Sequence, residues 1–228
     1  MFMLKTTQVS AAAAKDAELL IYDDIGETFW GDGVTAKQFD KDLKSLGKVG
    51  TLTVRINSLG GVVWDGIAIY NTLARASNVN KRVVVVDGIA ASAASVIAMA
   101  GDEILMGDGT FIMIHNAASI VYGEASELRK QADVLDSISK QVAEIYSSRT
   151  ANALSDILEW MGAETWFSQD DAIAVGFADG RSTDVVSATT AKLSLDKFKQ
   201  VPLALQKASA HATPRLDAIK SRMHRATR

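Results

Sequence analysis

Three short segments contain residues that could perform acyl-transfer chemistry. The first ends at Ser92, which follows the small residues Gly88-Ile89-Ala90-Ala91 at the predicted start of a helix. A serine between a buried strand and a helix is exposed at the carboxyl end of a sheet, where it can act as a nucleophile. Amide N–H groups at the helix N-terminus would face the developing negative charge. Alternatively, Ser92 only caps the helix.

The second segment contains His115, directly after a predicted strand. The chain has three histidines, and the other two, His211 and His224, lie in a basic C-terminal segment. An imidazole base in the folded body would therefore be His115. Alternatively, His115 has a purely structural role at a strand end.

The third segment is the tandem glycine pair Gly60-Gly61, which follows the alternating strand 51–56. Glycines let the backbone approach a ligand closely and present its N–H groups, as an oxyanion site requires. A plain tight turn between strand and helix is the alternative.

Composition excludes several other classes of site. The chain has no cysteine, which excludes thiolate chemistry, and neither a metal-ligand spacing nor a nucleotide-binding motif is present. We therefore expect no cofactor and no metal. Nine of the 24 Lys and Arg residues, but only two acids, fall in 192–228, so the rest is acidic and unsuited to specific nucleic-acid binding. No export signal or membrane span is recognisable, which predicts a cytoplasmic protein.

Strands and helices alternate along the chain, which predicts an α/β fold. The predicted strands are 19–22, 51–56, 83–86, 104–106 and 111–114, and the predicted helices are 34–46, 63–74, 90–100, 124–149, 154–161 and 168–176. Apolar spacing in the second helix places Val63, Ile67, Tyr70 and Leu73 on one face. The predicted organisation is a leader over 1–18, a folded domain over 19–181 and a mobile basic tail over 182–228.

Together and in order, four motifs resemble the proteolytic subunit of the Clp protease, ClpP. They are Ile56-Asn57-Ser58-Leu59-Gly60-Gly61, Gly88-Ile89-Ala90-Ala91-Ser92, Met113-Ile114-His115-Asn116 and Glu164-Thr165-Trp166-Phe167. In detail the sequence resembles the shorter ClpP-like branch found among phage head-maturation proteases, in which Glu-Thr-Trp replaces the usual Arg-Asp element. The resemblance implies a ClpP/crotonase-like fold of repeated strand-turn-helix units with a protruding handle helix, here 124–149.

The resemblance also implies roles for individual residues. Ser92 matches the nucleophile, His115 the general base, and Gly61 with Ala93 the amides of the oxyanion hole. Thr165 stands where the family has a catalytic aspartate, and its hydroxyl could orient His115. We prefer it to Glu164, because consecutive side chains of an extended segment point to opposite faces.

The implied function is a serine endopeptidase that cleaves polypeptides inside a homo-oligomeric ring, or stacked rings, in phage prohead maturation. Its partners would be an ATPase unfoldase or phage capsid and scaffold proteins, with no membrane involved. The alternatives are a weak or inactive ClpP-like scaffold and a Ser/Lys peptidase of the same fold. A further alternative is an acyl-CoA enzyme of the crotonase class, whose chemistry would not need the pair of Ser92 and His115.

Overall fold

The computed structural model describes residues 5–6, 15–28, 31–183 and 195–206. The chain divides into two compact units, 1–191 and 192–228. In the first unit the strands are β1 (Lys5–Thr6), β2 (Lys15–Ile21), β3 (Glu27–Thr28), β4 (Gly31–Asp32), β5 (Val49–Ser58), β6 (Val79–Ala91), β7 (Glu103–Met106), β8 (Phe111–Ile114), β9 (Thr165–Ser168) and β10 (Gly180–Arg181). The helices are α1 (Ala36–Ser45), α2 (Val63–Ala74), α3 (Ala93–Ala98), α4 (Ala125–Thr150), α5 (Leu154–Gly162) and α6 (Gln169–Ala174).

An eight-stranded sheet runs through this unit in the order β1-β2-β5-β6-β7-β10, and β8 lies between β6 and β9. The strands from β2 to β10 along this order are parallel to their neighbours, while β1 and β9 join antiparallel. Strands β3 and β4 form a separate hairpin. Because helices connect the parallel strands, the predicted α/β fold is confirmed.

Most of the predicted helices are present within two residues of their predicted ends, namely α1, α2, α4 and α5. Helix α6 is present within two residues of its predicted ends as well, and it begins with a capping box in which the Ser168 hydroxyl accepts from the Asp171 N–H. Strand β2 begins at Lys15, four residues before the predicted start, because it pairs with β5 from Val49 onward.

The largest correction concerns strand β6. The predicted strand ended at Val86 and a helix was expected from Ala90, but the strand continues to Ala91 and α3 begins only at Ala93. The middle of β6, 83–86, pairs with β7, and its last three residues pair with β8. Alanine favours helices, so the prediction failed where hydrogen bonds from a strand distant in sequence outweigh local propensity.

The predicted apolar face of α2 packs against the core, and two further residues of this helix are fully buried. Ile67 and Tyr70 are only half-buried, whereas the fully buried residues are Gly66, Ile69 and Leu73. Helix α2 packs against α3, and a glycine facing α3 brings the two backbones close together. Apolar periodicity ranks glycine as neutral, so it gave no indication that Gly66 contacts α3.

Helix α4 has two unlike halves. Its C-terminal half packs onto the core through Ile138, Val142, Ala143 and Tyr146. Its N-terminal half is solvent-exposed in this chain, including Leu128, which is 43% exposed. The helix therefore begins as a projection and ends as part of the core.

In the second unit the structure describes residues 195–206. One helical turn covers 203–206, and the Lys197 ammonium lies 5.2 Å from the centre of the Phe198 ring. Most of the tail predicted over 182–228 lies outside the described residues, as does most of the leader over 1–18, of which the structure describes 5–6 and 15–18.

Candidate active site

Ser92 lies between the end of β6 and the start of α3. Its backbone has φ 54° and ψ −125°, in a region that residues other than glycine rarely adopt. Such a conformation costs about 1–3 kcal/mol and persists only where the surroundings enforce it. Although Ser92 occupies the N-cap position, its side chain makes no capping hydrogen bond. The capping alternative therefore does not account for the hydroxyl.

The hydroxyl of Ser92 instead lies 2.8 Å from Nε2 of His115. The pairing of β6 with β8 brings the two residues together, since Ala91 faces Met113 and the Ser92 N–H donates to the Met113 carbonyl over 2.9 Å. His115 follows β8 directly. The serine and histidine segments thus meet at the carboxyl ends of two adjacent parallel strands, where α/β proteins place their functional groups.

The glycine pair lies directly against Ser92. Gly60 has φ 79°, and a Cβ built there would be 2.8 Å from the Ser92 Cβ and 2.8 Å from the Ala93 nitrogen. Gly61 has φ 153°, and its Cβ would be 2.2 Å from the Ile25 carbonyl oxygen. Both positions therefore require glycine. The absence of a side chain at Gly60 lets the backbone of the turn pack directly against Ser92.

Two amide groups beside this serine are available as donors. Within the described parts of the chain, the N–H groups of Gly61 and Ala93 donate to no protein acceptor. Ala93 is the first residue of α3, so its N–H has no partner inside the helix. Two free donors next to a hydroxyl are the arrangement that stabilises an oxyanion in acyl transfer.

The Thr165 hydroxyl donates to the Trp160 carbonyl over 2.7 Å, and Thr165 lies opposite Ile114 in the β8–β9 pair. Glu164 precedes β9 with φ 52°, so it is not extended. The alternation argument used to separate Thr165 from Glu164 therefore does not apply to this pair. The β8–β9 pairing ends at Ile114 and Thr165, so neither His115 nor Glu164 belongs to the paired strands.

Two buried hydroxyl groups next to Ser92 were not singled out from the sequence. Ser95 Oγ lies 2.6 Å from the Ser92 carbonyl oxygen, 2.9 Å from the Met113 carbonyl oxygen and 2.8 Å from the Tyr146 hydroxyl. Burial raises the pKa of Tyr146 well above its ordinary value. Only the position of Ser95 in the first turn after Ser92 signals this cluster, because Tyr146 lies far along the chain.

A charged cluster lies just before the segment Gly88-Ile89-Ala90-Ala91 that leads to Ser92. The guanidinium of Arg55 donates to Asp87 at 2.6 and 2.7 Å, and both side chains are buried. Tyr22 also donates to Asp87, and burial together with this hydrogen bond raises the pKa of Tyr22. The Asn57 side-chain oxygen accepts from the Ile89 N–H where the β5–β6 register shifts. These bonds join β2, β5 and β6 a few residues before Ser92.

The described residues offer neither a metal-binding cluster nor a membrane-spanning helix. They contain no group of three or more histidine, aspartate or glutamate side chains that could hold a metal ion. None of the helices within them is long and apolar enough to cross a membrane.

Comparison with known proteins agrees with this fold. A solved ClpP1 mutant from Listeria monocytogenes superposes with a TM-score of 0.63 at 22% identity, over 73% of this chain and 91% of the other. The fold is thus that of ClpP. A family model described as Clp protease matches residues 9–183. The chain belongs to the Clp protease family.

Curated relatives share the same family name. An ATP-dependent Clp protease proteolytic subunit from Pleurastrum terricola is 37% identical over 128 residues, which are 55% of this chain and 64% of that protein. A proteolytic subunit 2 from Tropheryma whipplei is 30% identical over 132 residues, 57% of this chain and 72% of that protein. The chain thus spans just under two thirds of the first relative's length.

Proposed function

We propose that the protein is a serine endopeptidase with Ser92 as nucleophile and His115 as general base. The observation that carries the proposal is the 2.8 Å contact between Ser92 Oγ and His115 Nε2. An unprotonated Nε2 at that distance can accept the serine proton as Oγ attacks a peptide carbonyl. The contact favours a histidine base over the lysine of a Ser/Lys peptidase, and a paired serine favours a peptidase over an acyl-CoA enzyme of the crotonase class.

The remaining steps follow from the groups around the serine. The Gly61 and Ala93 amides would donate to the oxyanion that forms when Oγ bonds to the carbonyl carbon. His115 would then pass its proton to the leaving amine as the peptide bond breaks. A water molecule would hydrolyse the acyl-enzyme by the same route, with His115 again accepting and returning the proton.

The third catalytic position is proposed to be Thr165. Because its own proton goes to the Trp160 carbonyl, the Thr165 oxygen retains lone pairs that could accept from Nδ1 of His115. A neutral acceptor can hold the tautomer but stabilises an imidazolium weakly. Glu164, the residue directly before Thr165, is the alternative. A neutral third residue also supports the second candidate function, a catalytically weak or inactive scaffold.

We further propose that the chain assembles into rings with copies of itself and that the exposed half of α4 joins one ring to another. The support is the apolar surface on this half, including Leu128 and Val134, which are 43% and 48% exposed. Polypeptides are the proposed substrates. From the resemblance of the Glu-Thr-Trp segment we propose prohead maturation in the cytoplasm, with an ATPase unfoldase or capsid and scaffold proteins as partners.

The test is covalent labelling of the full-length protein with a fluorophosphonate, followed by mass spectrometry of the adduct. We expect modification of Ser92 and cleavage of an unstructured polypeptide. Ser92→Ala should abolish both and His115→Ala should greatly slow both, whereas Ser155→Ala, at an exposed serine of α5, should change neither. Wild-type protein that is folded but neither labelled nor active would support the scaffold instead.

A further inference from the structure

The strained backbone of Ser92 is held by hydrogen bonds that meet at a single buried hydroxyl. Ser95 is fully buried, and its Oγ lies within 2.9 Å of the carbonyl oxygens of both Ser92 and Met113. The first carbonyl belongs to the proposed nucleophile. The second belongs to strand β8, two residues before His115. Ser95 therefore bridges the two chain segments that carry the reacting side chains.

The direction of the hydrogen bonds in this cluster follows from counting protons. A carbonyl oxygen can only accept, so the two carbonyls share the single Ser95 proton in a three-centre hydrogen bond. If the Tyr146 oxygen also needed that proton, both carbonyl contacts would set lone pairs against each other. Tyr146 must therefore be the donor to Ser95, which requires its hydroxyl to stay protonated. The raised pKa of the buried Tyr146 agrees with this requirement.

Tyr146 is itself held rigidly by its surroundings. It is 1% exposed, and its ring lies 5.4 Å from that of Phe177, which stacks on Phe167 at 5.0 Å. Phe167 lies on β9, opposite Ile112 of β8. The tyrosine thus reaches Ser95 from α4, while its ring is packed against the elements that also support the histidine strand.

We propose that Tyr146 and Ser95 are positioning residues that set the distance between Ser92 Oγ and His115 Nε2. The proposal rests on the proposed peptidase function, because it assigns these residues to that site. Neither side chain touches the reacting atoms. Tyr146 orients the Ser95 hydroxyl, and Ser95 ties the Ser92 carbonyl to β8, which keeps the serine in its left-handed conformation.

The test compares Tyr146→Phe and Ser95→Ala with the wild-type protein. Both variants should lower kcat by about tenfold with little change in KM, since small displacements of reacting groups reduce rates steeply. The rate of fluorophosphonate labelling at Ser92 should fall by a similar factor. The double variant should be no slower than either single variant, because the two hydroxyls act as one unit. Tyr70→Phe, which removes a half-buried hydroxyl of α2 outside this cluster, is the matched control.

A second measurement does not depend on activity. Hydrogen exchange of the peptide that contains Ser92 should be faster in Tyr146→Phe than in wild type and unchanged in Tyr70→Phe. If wild type is active and Tyr146→Phe has an unaltered kcat, the positioning role is overturned and the peptidase proposal stands. If wild type is neither labelled nor active, the peptidase proposal fails, and exchange decides whether Tyr146 holds the Ser92 backbone.

Discussion

Two hydrogen-bonded clusters flank Ser92, and they differ in charge and in what they touch. The cluster before it joins Tyr22, Arg55 and Asp87 and includes a buried ion pair. The cluster after it joins Ser95 and Tyr146 and contains only neutral hydroxyls and carbonyls. The charged cluster joins three strands of the sheet, whereas the neutral one contacts the serine backbone itself.

The difference indicates that the charged cluster mainly stabilises the fold, whereas the neutral cluster mainly positions Ser92. Buried charges are expensive to leave unpaired, so removing one member of the first cluster should cost mostly free energy of unfolding. A neutral hydroxyl bond contributes only about 1 kcal/mol to stability, so the second cluster should matter mostly through the position it enforces.

The largest expected effect is that of Asp87→Ala. It removes the main partner of the buried Arg55 guanidinium and should lower the free energy of unfolding by about 3–5 kcal/mol. Urea denaturation measures the change. A double variant, Arg55→Met with Asp87→Leu, removes both charges and should recover a large part of the loss. A cost below about 1 kcal/mol for Asp87→Ala would contradict the structural importance of the charged cluster.

A carboxylate introduced at position 165 should increase the rate of peptide cleavage. If Thr165 orients His115 as proposed, Thr165→Asp should raise kcat by about tenfold, because a carboxylate there would stabilise the imidazolium. The aspartate partner of the histidine contributes ~10⁴-fold to kcat in serine proteases. Glu164→Gln, one residue away, is the comparison and should change kcat little. If Glu164→Gln abolishes activity while Thr165→Val preserves it, Glu164 orients His115 and the assignment is reversed.

Alkaline pH should weaken the protein through Tyr146. Burial raises its pKa in the folded state, so its contribution to stability is complete below the unfolded tyrosine pKa of about 10 and is lost as the pH rises above it. Each pH unit above 10 should remove up to about 1.4 kcal/mol. Urea denaturation from pH 8 to pH 11 should show a smaller decline for Tyr146→Phe. Equal declines would mean that the hydroxyl ionises freely in the folded protein.

An exposed ion pair should have the smallest effect. The Arg82 guanidinium donates twice to Asp102 and the Arg82 backbone N–H donates once. These hydrogen bonds hold the Asp102 pKa below its usual value, but 39% of the Asp102 side chain is exposed. Asp102→Asn should therefore cost less than about 1 kcal/mol at pH 7. Since the folded pKa is lowered, the difference should disappear as the pH falls below about 4. Asp108→Asn, in an exposed turn, controls for net charge.

The sequence identified the catalytic candidates but not the residues that hold them in position. Ser92, His115 and the glycine pair were identifiable because each lies next to a strand end and has chemistry that few other residues of the chain offer. Their roles stay proposals that labelling can test. The network around Ser95 could not be predicted, because one of its two hydroxyls comes from a residue 51 positions away. The conformation of Glu164 was also misjudged, since a left-handed glutamate has no local signature.

The local sequence by itself determined those elements whose stability is local. Helix α4 follows from its apolar spacing and its capping box at Glu124, both within one segment. Only the tertiary structure decided that β6 extends to Ala91, because those small residues are held by hydrogen bonds from β8. That pairing also brings His115 to Ser92. Contacts between distant segments depend on how the whole chain packs, and no local pattern encodes the partner.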